Sequence, residues 1–333
     1  LSVQIAELAA AALAEAGAPQ GTFGLVTGFD AGLQAVDSPL IRAVAFTGSQ
    51  AGGMALVQRA AGRGVPVFAE MGTVNPVLVT PAAAADGAAV RALAAGFTGS
   101  FTLGAGQFCT KPGLLLAPAG SGLPEAVRRA VADVVPAPLL TAGIAGSYRT
   151  GLAALTEAAG APVPPADAGP AAGWHAAPEL VEVRPEQLVP GSRLLEECFG
   201  PVALICEYED FGQALALAAV LQPSLAASVF TGGDGDTDAA AAVAALVPRV
   251  GRVAVNTWPT GVANTWAQQH GGPWPATSRP EATSVGAGAL ERFVRPVAVQ
   301  NAPEAFLPPP VAPENPWGIP QRIDGVPAAP GTD

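Results

Sequence analysis

Strand-like and helix-like stretches alternate at short intervals in two parts of this chain, and that alternation restricts the fold more than any other feature. In the first part, Val3, Ile5, Leu8, Ala9, Ala12 and Leu13 share one helical face over residues 2–16. Residues 21–28 read as a short buried strand and a helical stretch ends near Leu40. The apolar run 43–46 then leads into a helix over 51–61, and 65–69 is strand-like again. In the second part a helix over 211–221, a strand over 227–231, a helix over 236–246 and a strand over 252–256 repeat the pattern. Such alternation builds parallel βαβ units with helices on both faces of a sheet, an α/β architecture of the nucleotide-binding kind. Helical stretches at 82–103, 123–136 and 144–159 lie between the two parts, and 160–173, dense in Pro, Ala and Gly, reads as a surface loop. Residues 292–300 are strand-like, and the proline-rich remainder reads as a tail that wraps the surface or is partly disordered.

Composition narrows the function classes. With 333 residues, half of them hydrophobic and 13% charged, the chain buries a sizeable core and most naturally makes two domains. Gly, Pro or charge interrupts the apolar runs too often for a membrane span. Sixteen basic against 27 acidic residues give a net charge of -11, which repels nucleic acid and anionic membranes, and no Lys/Arg cluster compensates locally. Cys109, Cys198 and Cys206 match neither a metal pair nor a disulfide framework, and two histidines leave few ligands for zinc. No metal, reduced thiols and a cytoplasmic address are the expectation. The alanine-rich start has no basic n-region or cleavage site of a secretory signal.

Five places carry chemistry-bearing residues. The turn 46–49, Phe-Thr-Gly-Ser, joins an apolar strand to a helix N-terminus, where free N–H groups and the helix dipole favour a phosphate; such turns are also common in α/β proteins without that role. Glu70 ends an apolar strand, and partial burial there would raise its pKa toward that of a general base, unless it simply faces water. Cys109 lies in 104–113, GAGQFCTKPG, a run too rich in glycine to be ordinary core, as a nucleophile served by Glu70 or as a small packing residue. Glu197 and Phe199 are two apart, so in an extended segment they reach one ligand together; otherwise Glu197 is a solvated strand-entry residue. The loop 256–276 carries three tryptophans that either line a substrate pocket or pack beneath the loop, and His270 within it reads as a structural, hydrogen-bonded histidine.

Taken together and in order, FTGS at 46–49, Glu70 followed by Asn75-Pro76, GQFCTKPG at 106–113 and EECFGPV at 196–202 resemble the aldehyde dehydrogenase superfamily. The flanking VFAEM, NTWPTGV, HGGPWPATS, TSVG and RFVRPV are similar to its NADP-type branch that oxidises 2-oxoglutarate semialdehyde. The resemblance covers nearly the whole chain. It implies a partial Rossmann-type coenzyme portion at 1–80, a catalytic thiol portion at 81–292, and an oligomerisation-type strand with a Pro-rich tail at 293–333. It also implies Cys109 as nucleophile with its own backbone N–H at the oxyanion, Glu70 as the base that activates water, Thr47, Gly48 and Ser49 at the pyrophosphate, Glu197 at the nicotinamide ribose and Phe199 beside the ring. NADP is the implied cofactor, with NAD as the alternative; a small semialdehyde is the implied substrate and a homo-oligomer, dimer or tetramer, the implied assembly when complete.

Departures from the pattern temper the activity. The family's oxyanion-hole asparagine and ribose-contacting lysine fall upstream of the segment that Leu1 begins, so the expectation is an N-terminally incomplete enzyme with impaired turnover. Lys111 and 72–74 differ from what the branch leads one to expect. A non-catalytic dehydrogenase-like binding protein and a cofactor-independent thiol esterase using Cys109 and Glu70 are the competing classes.

Overall fold

A computed structural model describes residues 2–162 and 173–328. The chain divides into two compact units, Leu1–Arg292 and Phe293–Asp333. Most of the expected loop at 160–173 lies outside the described residues.

In the first unit the elements run α1 (Ser2–Glu15), α2 (Phe29–Asp37), β1 (Val44–Gly48), α3 (Gln50–Ala61), β2 (Val67–Met71), β3 (Pro76–Val79), α4 (Gly87–Thr102), β4 (Leu114–Pro118) and α5 (Leu123–Ala132). They continue through β5 (Ala137–Leu139), α6 (Ala142–Ala159), β6 (Trp174–Ala176), β7 (Glu179–Val183), β8 (Val202–Tyr208), α7 (Phe211–Val220), β9 (Ser224–Phe230), α8 (Ala239–Leu246) and β10 (Val250–Val255). Six strands form one sheet in the order β10-β9-β3-β4-β8-β7, parallel throughout. The central strands are continuous apolar runs because both faces are covered. Along β4 the side chains alternate between two cores: Leu114 and Leu116 join one with Leu155, Leu217 and Leu246 from α6, α7 and α8. Leu115 and Ala117 join the other, with Phe97 and Phe101 of α4 and Val127 of α5. The sheet is therefore clad on both sides, as the alternation of elements predicts. Asp86 caps α4 through the N–H groups of Ala88 and Ala89, and Thr141 and Asp210 cap α6 and α7 in the same way.

A smaller parallel pair, β1 and β2, carries its own cluster of Val36, Ala60, Val67, Ala69 and Met71. Here one sequence expectation fails. Residues 21–28 form no strand and are exposed, with Val26 at 64%. A strand needs a neighbour for its N–H and C=O groups, and among the described residues β1 pairs only with β2, so nothing receives the 21–28 segment. The apolar face read for α1 is exposed or half-exposed as well; the one buried residue of the helix, Ala6, lies off that face.

In the second unit residues 294–300 adopt neither helix nor strand, contrary to the strand expected there, since no described segment offers them a ladder. A short antiparallel hairpin, β11 (Gln321–Ile323) with β12 (Val326–Ala328), ends the described chain. Among the described residues no helix is long and apolar enough to cross a membrane.

Candidate active site

The segment after α4 turns sharply because Gly104, Ala105 and Gly106 all have positive φ, at 57°, 56° and 68°. At Gly106 the requirement for glycine is steric too: a Cβ there would collide with the backbone of Gly200 and Pro201. The turn ends at Cys109, which is half-buried, while Cys198 and Cys206 are 6% and 0% exposed. Burial raises both of those thiols, that of Cys206 to about 12.

Asn75 fixes the cysteine segment from below. Its fully buried amide donates to the carbonyls of Cys109 at 2.8 Å and Lys111 at 3.1 Å and accepts from the N–H of Ala226 at 3.1 Å. Lys111, also buried, donates to the carbonyls of Cys198 at 3.0 Å and Val202 at 2.7 Å. Burial lowers its pKa, against the pull of Cys198 and Glu197. The cysteine segment is thereby tied to 197–202 as well as to the sheet.

Glu70 sits on β2 and is buried rather than facing water, at 8% exposure. The segment 276–278 docks on β2 through Met71 N–H to Ala276 O at 2.8 Å and Ser278 N–H to Ala69 O at 3.0 Å, with a bridge between Glu70 and Thr277. That docking brings two further side chains to the carboxylate: His270 Nε2 lies 3.0 Å from Oε1, and Ser284 Oγ donates to Oε2 at 2.5 Å. Burial pushes the Glu70 carboxyl up, but hydrogen bonds from His270 and Ser284 and the charges of His270 and Arg292 outweigh it, so its pKa lies below the ordinary value. The expectation of a raised pKa is thus overturned; burial does act in the anticipated direction, but the partners that come with it act more strongly.

His270 also touches the thiol, with Nε2 3.8 Å from Cys109 Sγ. Burial would lower the imidazole's pKa; the hydrogen bonds and negative charges of Cys109 and Glu70 instead raise it to about 9. Its Nδ1 is buried without a hydrogen-bond partner among the described residues. Donor atoms of Glu70, Cys109 and His270 lie within 4.8 Å of one another, and no other trio of such side chains converges this closely among the described residues. Sequence reading treats His270 as structural and so misses this. A usable signal exists in the following Gly271-Gly272, because close backbone approach fixes the loop: a Cβ on Gly272 would lie 2.7 Å from Ser224 O.

Seven of the residues singled out from the sequence line one cleft of about 730 Å³: Thr47, Gly48, Ser49, Glu70, Cys109, Glu197 and Phe199. Ser49 caps α3 by accepting from Gly52 N–H at 3.1 Å, so the start of that helix borders the cleft. Glu197 is half-buried, and its carboxylate packs so closely on Gly72 that a Cβ there would overlap it. Burial pushes its pKa up to about 7 despite the Lys111 and Arg193 charges. A helix start suited to phosphate and a carboxylate suited to ribose hydroxyls, in one cleft, fit a dinucleotide. The tryptophans of 256–276 do not line that cleft. Trp258 packs on Phe230 at 4.2 Å and Phe97 at 5.9 Å, while Trp266 and Trp274 are exposed.

Residues 1–136 and 152–274 match the model of the aldehyde dehydrogenase family. Alpha-ketoglutaric semialdehyde dehydrogenase 2 of Azospirillum brasilense is 42% identical over 324 residues, 95% of this chain and 61% of that protein. Alpha-ketoglutaric semialdehyde dehydrogenase of Acinetobacter baylyi is 38% identical over 331 residues, 96% of this chain and 62% of that protein. The chain thus spans about three fifths of the length of these relatives. Among solved structures, an NAD-dependent aldehyde dehydrogenase from Sinorhizobium meliloti superposes with a TM-score of 0.72 at 26% identity, over 89% of this chain and 60% of that one. Motif order, fold and these likenesses agree, and the chain belongs to the aldehyde dehydrogenase family.

Proposed function

We propose that this site oxidises a small aldehyde to a carboxylate through Cys109, with 2-oxoglutarate semialdehyde as substrate and NADP as the preferred cofactor, NAD being the alternative. The observation that carries the proposal is the convergence of the least buried thiol, a buried carboxylate and a helix start in one cleft. The names of the relatives, which describe semialdehyde dehydrogenases, support the substrate.

Thr47, Gly48 and Ser49 would hold the pyrophosphate and Glu197 the nicotinamide ribose, with Phe199 beside the ring. When bound, the nicotinamide supplies the acceptor for the aldehyde's hydride. Cys109 Sγ forms a bond to the carbonyl carbon, and the carbonyl electron pair moves to oxygen, where the Cys109 N–H meets it. Departure of the hydride leaves a thioester on Cys109. Water then attacks that carbon, Glu70 takes the water's proton, and cleavage of the C–S bond frees the acid and the thiolate. The lowered pKa keeps Glu70 ionised and able to accept that proton at neutral pH.

The test is protection of a thiol. Iodoacetamide is expected to modify Cys109 at least ~10-fold faster than Cys198 and Cys206, which are buried with raised pKa values. Added 2-oxoglutarate semialdehyde should slow that labelling, and any NADPH formed from semialdehyde and NADP should vanish in Cys109→Ala. Equal labelling of the three thiols, or no protection by the semialdehyde, overturns the reading.

Glu197 makes nucleotide binding sensitive to pH. Its folded-state pKa is near 7, so the acceptor carboxylate is present above that value and is lost to protonation as pH falls through it. NADP affinity should therefore weaken several-fold between about pH 8 and about pH 6 in a fluorescence titration, and Glu197→Gln should flatten the dependence.

A further inference from the structure

We infer that His270 is a catalytic residue that holds Cys109 as a thiolate, by presenting one Nε2–H to Cys109 Sγ and Glu70 Oε1 together. The inference deepens the proposed function and rests on Cys109 being its nucleophile. The sulfur at 3.8 Å and the carboxylate oxygen at 3.0 Å meet the same ring nitrogen, and because an ionised carboxylate only accepts, that nitrogen carries a hydrogen. Among the described residues Nδ1 has no hydrogen-bond partner, which leaves Nε2 as the polar anchor of a ring whose residue is 4% exposed. A histidine kept for structure alone would be expected to use both nitrogens; the ring of this one directs its hydrogen bonds, among the described residues, at the reacting sulfur and its neighbouring base.

The surrounding charges favour the ion pair. Glu70 is held in turn by Ser284, which fixes the carboxylate that orients the ring. Arg252 of β10 also lies close enough to interact electrostatically with Cys109. The negative partners raise the pKa of the imidazole to about 9, so it is cationic at neutral pH. Formation of the pair conserves protons and charge. The S–H proton leaves with its electron pair kept on sulfur, the ring gains one proton, and the trio keeps a single negative charge overall. A thiolate is the reactive form of cysteine, and a cationic histidine is an established way to maintain it. Glu70 then has two uses at different moments, orienting His270 in the resting site and accepting the water's proton once the sulfur is acylated.

The experiment reads the thiol without aldehyde or nucleotide, so it fails separately from the proposed oxidation. An ordinary thiol is ionised to only about 3% at neutral pH, and the thiolate of an ion pair is a somewhat weaker nucleophile. His270→Gln is therefore expected to slow iodoacetamide labelling of Cys109 about 10-fold at neutral pH and to remove the thiolate ultraviolet absorbance that wild-type protein shows over Cys109→Ala. In His270→Ala, added imidazole should restore part of the labelling rate, which a merely structural role would not produce. Unchanged labelling in His270→Gln, or labelling in His270→Ala that imidazole leaves unaffected, overturns the inference. Should both histidine variants fail to fold, the absence of thiolate absorbance in the wild type relative to Cys109→Ala overturns it equally.

Discussion

Asn75→Ala is expected to destabilise the protein by about 4 kcal/mol, roughly a thousandfold in the folding equilibrium. The side chain is fully buried, and its removal leaves the carbonyls of Cys109 and Lys111 and the N–H of Ala226 without that partner. Each such group costs on the order of 1–3 kcal/mol. Asn75 also has φ of 53°, a conformation that asparagine tolerates better than alanine, which adds to the loss. Asn75→Asp should be no better, because it turns the amide donor toward carbonyl oxygens as a second acceptor, with a buried charge besides. Urea denaturation measures this directly, and a loss below about 1 kcal/mol in the alanine variant would show that the amide is not the clamp described. The Asn75→Ala variant should lose the selective labelling of Cys109, since the carbonyl that it releases belongs to Cys109 itself.

Gly106→Ala tests the other side of the cysteine turn. The residue has φ of 68°, and the added methyl would enter the backbone of Gly200 and Pro201 rather than a movable side chain. Backbone strain and forced displacement together are expected to cost about 3 kcal/mol. Because 198–202 also receives both hydrogen bonds of Lys111, the displacement should spread to Glu197 and Phe199. Gly99→Ala provides the contrast on the same stretch of chain: it lies within α4 with no atom within 4 Å of the new Cβ, and should stabilise by about 0.5–1 kcal/mol. If thermal denaturation shows the two variants shifted alike, the close approach at Gly106 does not govern the turn.

What was legible in the sequence followed from local patterns. Of the main sheet, β9 and β10 were legible because their strand patterns alternate with helical ones, whereas the central β3 and β4 drew no strand reading although β4 is an unbroken apolar run. Residues 47–49, Glu70, Cys109, Glu197 and Phe199 were legible because they sit in short turns and strand ends that stand out against apolar runs, and all of them reach one cleft. The failures were of things that local pattern does not encode. Residues 21–28 have a strand's composition, yet a strand exists only beside a partner, and none of the described segments provides it. His270 looked structural because its significance depends on 276–278 docking against β2, a contact between segments far apart in sequence. The direction of the Glu70 pKa was misread for the same reason: burial could be inferred from its strand, but the partners that outweigh burial come from that distant loop.

The chain separation within the site has a consequence for how the protein folds. Cys109 and His270 are 161 residues apart, and Glu70 and Ser284 are 214 apart. Contacts of such span carry a large loop-closure cost and are favoured only after the intervening sheet has formed. A chain emerging from the ribosome with Cys109 already exposed would still lack His270, whatever local structure it had gained. Heightened thiol reactivity should therefore appear late, and its rise during refolding would report completion of the first unit rather than any earlier collapse.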